Sequence, residues 1–116
     1  MQIKLIAIGK TDSKAIISLI EEYSKRLNFY IKFEFEVIPD LKKTKSLSEV
    51  LQKEKEGELI FVIGGPYGFS DEVYSRANGK LSISKMTFSH QMIRPFFIEQ
   101  LYRGFTILRN EPYHHE

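Results

Sequence analysis

Three stretches carry residue types that could do chemistry. The first is LIFVIGGPYGFS, residues 59–70, where an apolar run stops at Gly64, Gly65, Pro66 and Gly68. Glycines tolerate positive φ and let a ligand come close to bare backbone, but a tight strand-to-helix turn needs them equally. The spacing is neither a GxGxxG fingerprint nor a phosphate loop with its lysine. The second is LSISKMTFSHQMIR, residues 81–94, which sets Ser82, Ser84, Lys85, Thr87, Ser89 and His90 at a helix start. The unpaired N–H groups of a helix start suit polar ligands, though Ser89 as a helix cap and His90 as a surface residue account for the same pattern. The third is the tail NEPYHHE, residues 110–116. Adjacent histidines lack the i, i+4 spacing of a helical metal pair and no cysteine accompanies them, so a metal centre is not expected. Tyr113 or His114 could exchange a proton with a substrate, or the tail could simply fray.

These stretches need a frame. The chain has 116 residues, 42% hydrophobic and 28% charged, the balance of one globular domain spanning 1–116. Apolar runs are too short for a membrane span and the start lacks a signal-peptide layout, which points to a cytoplasmic protein. There is no cysteine, hence no disulfide frame. The net charge of +2 decides nothing, but lysines gather at Lys10, Lys14, Lys25 and Lys32 and again at Lys42, Lys43 and Lys45. Such clusters could meet nucleic-acid phosphates, or be an ordinary solvated surface.

Patterning predicts strands at 2–8, 32–38, 59–63 and 81–84. It predicts helices at 14–27, capped by Asp12 or Ser13, at 46–55, from Ser70 or Asp71 to about 77, and from Ser89 through about 109. The run LIFVI reads as a strand buried on both faces. In the last helix Met92, Phe96, Phe97, Leu101, Phe105 and Leu108 form a core and association face. Alternating strands and helices predict an α/β fold around a mainly parallel sheet, with ligands beyond the carboxyl ends of its strands. A dinucleotide-dependent oxidoreductase is disfavoured, since neither the glycine fingerprint nor an acidic ribose partner is present.

IGGPYGFS, LSISKMTFSHQMIR and EQLYRGFTILRNEPYHHE, in that order, closely resemble the ribosomal large subunit methyltransferase H family, a small branch of the SPOUT methyltransferases. IKLIAIGKTDSK and EEYSKRL near the start match it too. The resemblance implies a C-terminal trefoil knot and a homodimer. It also implies S-adenosylmethionine-dependent methylation of N3 of a pseudouridine in helix 69 of 23S rRNA, within the assembled ribosome. Cofactor contacts would then fall on Gly64 and on Ile83, Ser84, Lys85, Met86, Thr87 and Phe88. His114 and Tyr113 would position substrate or handle its proton, and Arg103 would lie on the substrate or dimer side.

The sequence also departs from the family. KEKEGE, residues 53–58, runs directly into LIFVIGG, where the family carries a further strand and helix with a cofactor-contacting leucine. That omission admits an alternative: a catalytically inactive deletion or engineered variant that keeps the scaffold and dimer face without binding cofactor. Pro95, inside the predicted last helix, and Gly104, where the family usually has alanine, predict a kinked and weakened helix.

Overall fold

The computed structural model describes residues 1–38, 57–64, 77–79 and 89–113. Five elements lie among them: β1 (Gln2–Ile8), α1 (Lys14–Asn28), β2 (Lys32–Ile38), β3 (Glu58–Ile63) and α2 (Ile93–Leu108). The helices expected at 46–55 and 71–77, the strand expected at 81–84 and the expected knot lie outside the described residues.

The sheet is parallel throughout, in the order β2-β1-β3, which bears out the α/β reading. Register is in step: Ile3 pairs with Phe33 and with Leu59, and Ala7 with Val37 and with Ile63. Alternation along β1 sends Ile3 and Leu5 to one face and Ile6 and Ile8 to the other, and all four are buried. On the first face α1 and α2 pack side by side, with Ile20, Leu27, Phe97 and Ile98 closing the core. On the other face Lys4 pairs with Glu36 at 3.6 Å, one strand over.

Two strand expectations differ in burial. β3 is only half-buried, with Leu59 41% exposed, because among the described residues it pairs with β1 alone. The charged–apolar alternation of β2 does give a half-buried strand, with Phe33 buried beside exposed Glu34.

Of the two candidate caps of α1, Ser13 is the one used: its Oγ accepts from the Ile16 N–H at 3.4 Å. Lys25 and Arg26 occupy the last turn, where cations offset the negative end of the helix dipole. Asn28 then accepts from the Phe33 N–H at 2.9 Å, tying the helix end to the start of β2.

α2 begins later than Ser89. A turn over Ser89–Met92 precedes it, in which the Ser89 Oγ accepts from the Met92 N–H at 3.0 Å. Pro95 therefore falls in the first turn of the helix, where backbone N–H groups have no intrahelical partner and a missing one costs little. The expected kink does not arise. The expected core-and-association face divides: Phe97 is buried and Leu101 and Phe105 pack on the core, while Met92, Phe96 and Leu108 are exposed, as is Ile107 outside that set.

Candidate functional site at the carboxyl edge and along α2

Gly64 follows the last residue of β3, so the Ala7–Ile63 pair places it beside the end of β1. That end turns sharply. Gly9 has φ of 90°, a conformation that favours glycine, and its N–H donates to the Ile38 carbonyl at 2.7 Å. Two bare-backbone positions thus stand side by side at the carboxyl edge, where open parallel sheets bind ligands. Gly64 lies where the sequence places it. Ile83, Ser84, Lys85, Met86, Thr87 and Phe88 lie outside the described residues. The chain emerges from them at Ser89, and α2 starts at this same edge.

The start of α2 grips the loop that leaves β1. Arg94, fully buried, donates to the Ile8 carbonyl at 2.8 Å and to the Thr11 Oγ1 at 2.6 Å. Gln91 brackets the next two residues, its Nε2 donating to the Lys10 carbonyl at 2.8 Å and its Oε1 accepting from the Asp12 N–H at 3.0 Å. Neither residue was singled out from the sequence. The available signal was an arginine set among apolar neighbours in MIRPFF, which more often marks a surface position.

A second cluster forms further along α2. One carboxylate oxygen of Glu99 accepts from Arg103 through Nη2 at 2.5 Å and Nε at 3.1 Å, and from the Tyr113 hydroxyl at 3.1 Å. The guanidinium also lies over the Tyr113 ring, 5.0 Å from its centre. Tyr113 meets Tyr102 edge-on at 4.7 Å, and Tyr102 in turn faces Tyr23 and Tyr30. Burial, then hydrogen bonds with Tyr23 and Glu99, hold the Tyr113 hydroxyl well above the ordinary tyrosine range, so it stays protonated. The bond to Glu99 likewise raises Arg103.

Tyr113 reaches Glu99 because α2 ends in a reversal. Asn110 takes a left-handed φ of 55°, its N–H bonds the Ile107 carbonyl at 3.1 Å, and the Glu111 N–H bonds the Thr106 carbonyl at 2.9 Å. Glu111 then accepts from the Tyr30 hydroxyl at the end of α1, and Arg109 covers the same ring at 5.1 Å. The tail is strapped to α1 before it turns back. His114 lies outside the described residues.

The structure therefore brings Arg103 and Tyr113 together, through a carboxylate that sequence reasoning missed. It does not bring them to Gly64. Arg103 lies about 13 Å further along the helix axis than Arg94, toward the amino end of the sheet.

This architecture has relatives. The family model described as predicted SPOUT methyltransferase matches residues 1–60 and 42–114. The chain belongs to the SPOUT methyltransferase family. Within it, the chain is 54% identical over 157 positions to a Flavobacterium johnsoniae protein named ribosomal RNA large subunit methyltransferase H, with all of both chains covered. A protein of the same name from Christiangramia forsetii is 54% identical over 156 positions, covering 99% of each chain, and one from Bacteroides thetaiotaomicron 45% over 157, covering all of both. The resemblance to methyltransferase H proteins seen in the motifs thus extends end to end. Alignments of 157 positions against a chain of 116 residues mean that these relatives carry residues this SPOUT chain lacks. The two matched stretches overlap at 42–60, which agrees with an omission next to KEKEGE.

Proposed function

We propose that this chain is an S-adenosylmethionine-dependent rRNA methyltransferase that modifies N3 of a pseudouridine in helix 69 of 23S rRNA in the assembled ribosome. The observation that carries the reading is the end-to-end likeness to proteins named ribosomal RNA large subunit methyltransferase H.

The residues at the carboxyl edge fit the cofactor. Gly64 is half-buried beside the end of β1, where the left-handed turn at buried Gly9 shapes the adjoining loop. Gly64, Ile83, Ser84, Lys85, Met86, Thr87 and Phe88 are assigned to hold it. When bound, S-adenosylmethionine supplies an electrophilic methyl group on a sulfonium, so the protein's work is alignment and exclusion of water. Arg103 offers a fixed positive charge that favours loss of the N3 proton. Tyr113, kept protonated and committed to Glu99, offers its ring and hydroxyl oxygen to orient the base, and His114 takes up the proton.

The separation of Arg103 from Gly64 within one chain supports a homodimer, in which one copy's tail meets the other's carboxyl edge. Exposed Met92, Phe96, Ile107 and Leu108 on α2 suit such an association. No helix among the described residues is long and apolar enough to cross a membrane, and work on ribosomes accords with a cytoplasmic location. Among the described residues no group of three metal-ligating side chains is found, and the reaction as proposed uses none.

A second reading is favoured by the shortened span: a scaffold that keeps the sheet and the association face and has lost cofactor binding. Calorimetric titration with S-adenosylmethionine separates the two. Saturable binding by the parent chain, abolished in Gly64→Val, followed by methyl transfer to unmodified ribosomes, supports the enzyme. A folded parent chain without binding supports the scaffold.

A further inference from the structure

We infer that Gln91 and Arg94 are positioning residues of the cofactor site, acting through the Gly9–Asp12 loop that they hold beside Gly64. The inference rests on the reading that S-adenosylmethionine binds at the carboxyl edge.

Their two side chains bond Ile8, Lys10, Thr11 and Asp12. Ile8 ends β1, and the other three fall in the loop that borders Gly64. Gly9 itself is fixed through Ile38. Every residue of the turn from Ile8 to Asp12 is thereby held by a polar contact that specifies direction as well as distance. Simple packing of a helix start on a strand end is met by aliphatic side chains, whereas burying a guanidinium carries a desolvation cost. A polar clamp at that cost selects one geometry.

The clamp also has a definite place in the chain. Gln91 and Arg94 stand at the start of α2, and the loop they hold leaves β1 at the edge where Gly64 leaves β3. Gly64 stands beside the end of β1. Loosening the clamp shifts the Gly9–Asp12 loop relative to Gly64. A displacement of about 1 Å at a binding site costs up to about a hundredfold in function. Glu99 and Arg103 lie further along α2 and the tail's Tyr113 bonds Glu99 there, so the shift leaves the proton-handling cluster in place.

The test uses the full chain. Gln91→Ala removes the bonds of a half-buried side chain to Lys10 and Asp12, and Gln91→Glu keeps the acceptor for the Asp12 N–H while losing the donor to the Lys10 carbonyl. Affinity for S-adenosylmethionine is measured by calorimetry, thermal stability alongside it, and KM and kcat with ribosomes. The expected result is affinity weakened about tenfold in Gln91→Ala and less in Gln91→Glu, with KM for the cofactor following and KM for ribosomes and kcat near the parent. Arg94→Lys, which retains the charge but not the two-armed reach, gives the same pattern with a lower melting temperature. Unchanged cofactor affinity in Gln91→Ala, whatever happens to stability, overturns the inference and leaves the methyltransferase reading standing. A folded parent chain that does not bind the cofactor overturns both.

Discussion

Tyr113 donates its hydroxyl proton to the same oxygen of Glu99, at 3.1 Å, that Arg103 grips with two N–H groups. Two residues proposed to act on substrate thus share one anchor. Glu99→Gln keeps an acceptor and loses the charge, and Glu99→Ala loses both. Methyl transfer is expected to fall by about tenfold in the first and further in the second, mainly in kcat. Cofactor affinity is expected to hold. Equal losses in cofactor affinity would contradict the separation of the cluster from Gly64.

Tyr30 predicts an alkaline loss of stability. Its hydroxyl, bonded to Glu111, is pushed from 10.0 to about 12 in the fold. The folded chain holds that proton more tightly than the unfolded one, so the contribution is complete below 10.0 and fades as pH climbs toward about 12. Tyr113, also raised, acts in the same direction. Urea midpoints measured at about pH 8 and about pH 11 are expected to differ less in Tyr30→Phe than in the parent.

Asn110 holds the reversal that returns the tail to α2. Asn110→Ala removes the short polar side chain that eases the left-handed region and is expected to destabilise by about 1 kcal/mol. Asn110→Gly is expected to be neutral or slightly stabilising. Chemical denaturation distinguishes them, and activity should follow the alanine variant downward because Tyr113 depends on the same turn.

Gly104 sits inside α2, and a β-carbon added there meets nothing within 4 Å. The strain expected of this helix is therefore one of propensity alone. Gly104→Ala is expected to raise stability by about 1 kcal/mol, seen as a melting temperature higher by a few degrees.

Periodicity was enough to read β1, β2 and α1, because each obeys a single local rule. Charge alternation marks β2, a capping serine and a four-spaced apolar face mark α1, and Gly9 stops β1. The family, too, was legible from three ordered motifs. What local rules missed depends on partners far along the chain. Pro95 reads as a helix breaker until the helix is seen to begin at Ile93. Arg94 reads as a surface cation until Ile8 and Thr11 surround it. Glu99 looks like any solvated helix acid, and only the reversal at Asn110 makes it the seat of Tyr113.

The central position of β1 has a consequence for how the molecule is made. Its first residues emerge from the ribosome earliest, yet β3 pairs with them only after residues 58–63 appear, and Arg94 reaches Ile8 across 86 residues of chain. Each of those closures carries an entropy cost that grows with the length spanned, and contacts of such long separation form slowly. The nascent β1–α1–β2 unit must wait with one edge of β1 unpaired until β3 is made, and with one face of its sheet incompletely covered until α2 is, so the second half of translation decides whether the first becomes structure.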